Sequence, residues 1–156
     1  VSGKIEARLK QIGLVVPPAP AAAANYVPWT RSGNLVFIAG QGPVVDGKVL
    51  FVGKVGREFD VASGQQAARL VAVNLLAQAK AACEGDLDRI VRWVRLGAFV
   101  NCIDDFTQQP EVVNGASDLL VEIFGDAGRH ARFAVGVNAL PRGFAVEIDA
   151  TLEIRA

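Results

Sequence analysis

The spacing of apolar residues changes period several times along the chain, and each change marks an element. From Ser2 to Gly13 the apolar positions recur at helical spacing. Ile5, Leu9 and Ile12 fall at i, i+4 and i+7, and Gly13 supplies a C-terminal stop. Pro17-Pro18-Ala19-Pro20 and the alanines behind it cannot continue a helix and predict an extended connector. From Tyr26 the pattern turns to strands. Asn34 to Gly40 is a β-rich run, and Asp46-Gly47 predicts a hairpin turn before a further strand over Val49–Val52.

Val61 to about Cys83 reads as a long helix in which Ala68, Val71, Leu75 and Ala79 share one face, closed by Glu84-Gly85. Ile90 to Val100 predicts a strand. Pro110 opens another helix that runs to about Phe124 and stops at Gly125. The last third predicts a β-hairpin: Ala131–Ala139, a turn at Leu140-Pro141-Arg142-Gly143, then Phe144–Ile154. After a helical N-terminal extension and connector over 1–18, the order is β-β-β-α-β-α-β-β. This is an α+β two-layer domain spanning 1–156, with two helices on one face of the sheet.

Composition sharpens this picture. Half of the residues are hydrophobic, yet no apolar run approaches the ~20 residues that would span a bilayer. The excess apolar surface therefore belongs in a core or a subunit interface, and an obligate oligomer is expected. Acidic and basic residues balance to a net charge of zero, and the basic ones are scattered, which argues against a nucleic-acid partner. Cys83, Cys102 and the single histidine cannot build a standard zinc site, and a cytoplasmic chain keeps two such cysteines reduced. Gly40-Gln41-Gly42 followed by Pro43 lacks the third glycine and the helix start of a dinucleotide loop, so a turn is expected there. His130 has no sequence-evident relay partner and reads as a loop or interface residue. Asp104-Asp105 reads as a cap for the helix that follows.

The terminal hairpin is where chemistry is expected. Alternation puts Arg132, Ala134 and Gly136 on one face of their strand and Glu147, Asp149 and Thr151 on one face of the next. If the apolar faces of the two strands match, Arg132 and Glu147 share a side, with a floor of two small residues between them. A guanidinium suits a carboxylate ligand because it can bind it through two parallel hydrogen bonds. From the hairpin alone, ordinary solvated charges on an outward face remain the simpler reading.

His130-Ala131-Arg132, Leu140-Pro141 and Val146-Glu147-Ile148-Asp149-Ala150 together resemble the signature of the RidA/YjgF family. That family is also labelled endoribonuclease L-PSP and has the chorismate-mutase-like trimer fold. Asn25-Tyr26, Leu35 to Pro43, Asp104-Asp105-Phe106 and Val113-Asn114 resemble further family stretches, so the likeness runs from about Ala19 to Arg155. The resemblance implies a homotrimer with clefts between subunits, in which reactive 2-imino or enamine acids are hydrolysed to 2-keto acids and ammonia. Arg132 would bind the substrate carboxylate, and Glu147 would position or activate the attacking water. Tyr26 would close the pocket from a neighbouring subunit, Asn114 would line it, and the main chain at Gly40 and Ala134 would hold polar atoms. The resemblance implies no metal and no organic cofactor.

Compact relatives usually carry a hydroxyl residue at the position of Ala39, Cys at Ala134, an aromatic at Ser117 and Pro at His130, and they lack the Ser2–Gly13 helix and the longer Val49–Arg57 loop. The chain resembles a divergent, longer branch. An enzyme is one reading, and a non-catalytic module that binds or senses a small keto acid is the alternative. Ribonuclease activity, the older label, fits poorly with neutral charge and a single histidine, and chorismate mutase shares only the fold.

Overall fold

The computed structural model describes residues 3–156, so the Ser2 end of the expected first helix lies outside them. Helix α1 covers Lys4–Ile12 and ends at Gly13, whose φ of 74° closes it. Its apolar face buries Leu9. Its first turn is capped from far along the chain, because the Asp88 carboxylate accepts the backbone N–H groups of Gly3, Lys4 and Ile5 at 2.7, 3.0 and 2.9 Å. Lys80 pairs with Glu6 at 2.9 Å. The extension is thereby docked onto the body of the fold.

Strands β1 (Trp29–Ser32) and β2 (Leu35–Gln41) form an antiparallel hairpin. β3 (Val44–Val45) and β4 (Lys48–Val49) form a second, very short one around Asp46-Gly47. Both turn residues take positive φ, 50° and 76°, as a tight two-residue hairpin of the type I′ class demands. The strand expected over Val49–Val52 ends at Val49. Phe51 adopts φ 53°, and beyond it only a single bridge joins Val52 to Phe144.

Helix α2 spans Val61–Ala82, with the Asp60 side chain accepting the Ser63 N–H at 2.8 Å as its N-cap. Burial extends well beyond the expected stripe, because α2 packs against the sheet and also, side by side, against helix α3 (Gln109–Phe124), which covers the β5–β6 part of the same face. The two helices approach closely at Gly115, where a Cβ atom would sit 2.0 Å from the Gln65 carbonyl oxygen. Asp104 and Asp105 do not cap α3. They are exposed in a turn ahead of it, and the N-cap position is Gln108, without a side-chain bond.

The remaining strands are β5 (Ile90–Asn101), β6 (Ala131–Val137) and β7 (Val146–Ile154). The five-stranded sheet has the order β1-β2-β7-β5-β6, and β5 and β6 run parallel. The expected Ala131–Ile154 hairpin therefore does not form. Helix α3 is the crossover that a parallel β5–β6 pair requires, and it delivers β6 to the outer edge while β7 inserts between β2 and β5. Two irregularities in the β5–β7 register, at Ile90/Arg92 and Trp93/Arg95, each add a residue. They explain why Ile90, Trp93 and Leu96 all reach the core at intervals of three.

The core lies between this sheet and α2 and α3. Val36 and Ile38 face it from β2, Leu96, Ala98 and Val100 from β5, and Ile148, Leu152 and Ile154 from β7. Among the described residues the opposite face of the sheet carries no layer, and Leu35, Phe37 and Val135 stand exposed on it. Both cysteines are buried and free, and burial pushes the Cys83 thiol pKa up. No helix among the described residues is long and apolar enough to cross a membrane.

Candidate functional site

Sheet order decides where the two central charges go. Arg132 pairs with Leu96, a core residue on the helix-covered face, whereas Glu147 pairs with Phe99 on the open face. The two are on opposite sides of the sheet. The expectation that they share a side fails because it matched β6 directly to β7, and β5 stands between them. Phe133, Val135 and Val137, which alternate with Arg132 and Ala134 along β6, lie on the open face with Glu147 and Asp149. The expected hollow beside Arg132 is also occupied at one end, since Cys102 Sγ and Gln109 Nε2 would lie 2.7 and 2.8 Å from a Cβ placed on Gly136.

One chain thus brings the predicted residues together as two half-sites. The first is the β6 edge with α3, holding Arg132, Asn114 and Ala134. The Arg132 guanidinium is pinned to the helix: Nη1 donates to Ser117 Oγ at 2.9 Å and Nη2 to the Pro110 carbonyl at 3.2 Å. Ser117 in turn meets His130 Nε2 at 2.8 Å, and His130 Nδ1 meets the Gly128 carbonyl at 2.7 Å. Burial lowers the His130 pKa, and the neighbouring Arg132 charge acts in the same direction, together outweighing the Gly128 bond. Asn114 sits between Pro110 and Ser117 on α3, partly exposed. Ala134 packs partly into the core opposite Ala98.

The second half-site is a cavity of about 560 Å³ at the β2–β7 end, lined by Tyr26, Gly40, Asn74, Arg142, Phe144 and Glu147 and by the Pro17–Ala23 connector. Its floor is set by a bulge. Between Ile38 and Gln41, β2 carries one residue more than β7 opposite it, which brings Gly40 against the Glu147 carboxylate. A Cβ on Gly40 would lie 2.3 Å from Glu147 Oε2, so only glycine leaves that carboxylate in place. Burial raises the Glu147 pKa, and Asp149 on the same face adds to the rise. Asp149 itself accepts the Gly97 N–H at 3.0 Å and lies 3.6 Å from Arg95. Tyr26, about half exposed, stands at the cavity wall.

Sequence reasoning missed residues around the second half-site. Asn74 donates to the carbonyls of Gly42 and Val44 at 2.9 Å each, and Gln78 donates to the Pro20 carbonyl at 2.7 Å. They tie the Gly40–Pro43 turn and the connector to α2. Their signal was legible, being two amides buried in an alanine-rich apolar helix, where each must have a partner. Arg142, the cation of the Glu147 cavity, lies on the Leu-Pro turn with φ 55°. Nothing in its local sequence marks it. Among the described residues no cluster of three or more His, Cys, Asp or Glu side chains has the arrangement of a metal site.

The sequence pattern of the family described as "YjgF/chorismate_mutase-like, putative endoribonuclease" matches residues 6–146. The chain belongs to the YjgF/RidA family. Protein TCP17 of Trypanosoma cruzi is 46% identical over 154 residues, covering 98% of this chain and 96% of that protein. The solved structure of Atu1372 from Agrobacterium tumefaciens is 51% identical, spans 97% of this chain and 93% of its own, and superposes with a TM-score of 0.91. E. coli TdcF, solved with bound serine, is 26% identical with a TM-score of 0.63, over 88% of this chain and 94% of its own. Within the YjgF/RidA family, then, the chain is more similar in shape to Atu1372 than to TdcF. With nearly the whole chain aligned to Atu1372, the N-terminal extension is a shared feature and not an appendage peculiar to this protein.

Proposed function

We propose that this protein hydrolyses reactive 2-imino acids, the tautomers of enamine acids, to 2-keto acids and ammonia, in a cleft completed between protomers of a homotrimer. Arg132 at the β6 edge of one protomer binds the substrate carboxylate, and Glu147 in the cavity of the next orients the attacking water. Tyr26 closes that cavity, the main chain at Gly40 and Ala134 receives substrate polar atoms, and Asn114 lines the Arg132 side. The observation that carries the reading is the pinned guanidinium. Two of its five N–H donors are committed to α3, and three remain for a carboxylate at an exposed sheet edge. Arg132 and Glu147 lie on opposite faces of one sheet, so a cleft that uses both requires two copies. The exposed Leu35, Phe37 and Val135 supply apolar surface for such a contact. The serine in TdcF, with its nitrogen on the carbon beside the carboxylate, supports the ligand class.

The imine carbon is already electrophilic, so the protein's part is to orient substrate and water. Water adds to the C=N carbon as Glu147 takes its proton. Glu147 passes that proton to the nitrogen to give the carbinolamine, and as the C–N bond breaks the remaining hydroxyl proton also goes to nitrogen, leaving the 2-keto acid and ammonia. A carboxylate whose pKa is raised by burial is a better base than an exposed one.

The test is ammonia release from freshly generated 2-iminopropanoate. Arg132→Ala is expected to lower kcat/KM by about 10²-fold or more, the loss expected when a charged binding partner is removed. Equal, background-level rates for both proteins would remove the enzyme. A second reading, a non-catalytic module that binds a 2-keto acid, is favoured by Ala39, which leaves the bulge beside Glu147 without a side-chain hydroxyl. Calorimetric binding of 2-oxopropanoate with no ammonia release would select it.

A further inference from the structure

We propose that Ser117 and His130 are a coupled positioning pair, in which the imidazole aims the Ser117 hydroxyl so that it receives and orients the Arg132 guanidinium. This rests on Arg132 as the carboxylate-binding group of the proposed site. The direction of every bond in the chain follows from its first member. The Gly128 carbonyl can only accept, so the 2.7 Å contact requires the proton on His130 Nδ1. A neutral ring then leaves a lone pair on Nε2, and burial, together with the Arg132 charge, keeps the ring neutral at neutral pH. Ser117 Oγ, 2.8 Å away, must therefore be the donor of that bond. With its one proton committed, the hydroxyl presents only lone pairs to Arg132 Nη1 at 2.9 Å. Each group has a single role left to it.

The second anchor, the Pro110 carbonyl at 3.2 Å, holds Nη2 from about two turns of α3 earlier. Between them the two contacts fix the guanidinium plane, and a planar fork with a set orientation is what bidentate carboxylate binding needs. Without His130 the hydroxyl is free to rotate and to offer its proton toward Arg132, which turns an attraction into a repulsion. Without Ser117 the imidazole has no route to the guanidinium. His130 thus acts on Arg132 only through Ser117. The residues sit thirteen positions apart, on α3 and just ahead of β6. They are also two of the positions at which this chain departs from its compact relatives.

The chain has a single histidine, so its ring nitrogens can be read directly in a long-range 1H–15N spectrum. The expected spectrum shows the Nδ1–H tautomer at neutral pH, with the Nε2 resonance displaced in Ser117→Ala. An Nε2–H tautomer would overturn the proposal. In calorimetry with 2-oxopropanoate, Ser117→Ala and His130→Phe are each expected to weaken binding about tenfold, a charged hydrogen bond's worth. Ser117→Thr restores it, and the double variant is no weaker than either single one. Additive losses, or wild-type binding in Ser117→Ala, would overturn it. Melting temperatures measured alongside show that the singles are folded. If the wild type binds no 2-oxopropanoate, the pair is judged by peptide-resolved phenylglyoxal labelling of Arg132, and the functional reading falls only if ammonia release from 2-iminopropanoate is absent as well. Equally faster labelling in both singles and the double supports the pair; unchanged labelling in Ser117→Ala ends it.

Discussion

Replacing Gly115 by alanine sets two opposed effects against each other at one position. Glycine inside a helix costs about 1 kcal/mol relative to alanine, so propensity alone predicts a more stable protein. The structure predicts the reverse. A Cβ at this position would stand 2.0 Å from the Gln65 carbonyl oxygen and 2.8 Å from its carbon, where ordinary contact begins near 3.4 Å. The obstacle is backbone of a helix buried on several sides, which no rotamer change can clear, so α2 and α3 must part by more than an ångström. Overpacking of this kind costs about 1–3 kcal/mol, and a backbone obstacle belongs at the upper end. Subtracting the propensity gain leaves a net loss of about 2 kcal/mol, a fall in Tm of roughly 4–8 °C for a chain of this size. The control is Gly64→Ala in α2, whose added methyl meets the Val112 methyl groups at 3.1 and 3.2 Å, side-chain atoms that can give way. Thermal unfolding followed by circular dichroism compares the two. A Gly115→Ala protein that melts with the wild type or above it would refute the reasoning, because the close approach would then not be what holds α3 against α2.

Three further outcomes are expected. Gly40→Ala meets the mobile end of Glu147, not backbone, so Tm should stay within about 2 °C while the carboxylate moves by roughly 1 Å and turnover of 2-iminopropanoate drops about 10²-fold; wild-type turnover would remove Glu147 from the chemistry. Because burial and then Asp149 raise the Glu147 pKa, the acidic limb of the pH–rate profile should lie above the value of about 4.3 for an exposed glutamate, and Asp149→Asn should move that limb to lower pH. A limb that stays put in the variant would show that Asp149 is not part of the cause. For stability, burial pushes the Asp88 carboxyl pKa up, but the three α1 N–H groups and Arg155 outweigh it and hold it below its ordinary value. A depressed carboxyl stabilises the fold above its unfolded value of about 3.9 and ceases to as the pH falls through the folded one. Asp88→Ala should therefore cost about 1 kcal/mol at pH 7, the worth of a helix cap, with the gap to wild type closing in acid; a gap independent of pH would contradict the cap.

Much of this protein was legible along the chain. Period and punctuation located all three helices, the long strands and the Asp46-Gly47 turn, because each is decided by how one segment meets water and by the φ its turn residues tolerate. The family signature around Arg132 and Glu147 was legible in the same way. Which strands become neighbours was not. Alternation says which residues of a strand share a face, but not which strand lies beside it. The parallel β5–β6 pair depends on α3 packing against α2 and carrying the chain across the sheet. That one long-range choice put Arg132 and Glu147 on opposite faces, filled the space over Gly136 with Cys102 and Gln109, and brought Ser117 to His130. Local chemistry is written into short stretches of sequence. The pairing of distant stretches is settled by the packing of the whole chain, and it is this pairing that decides which charges can meet.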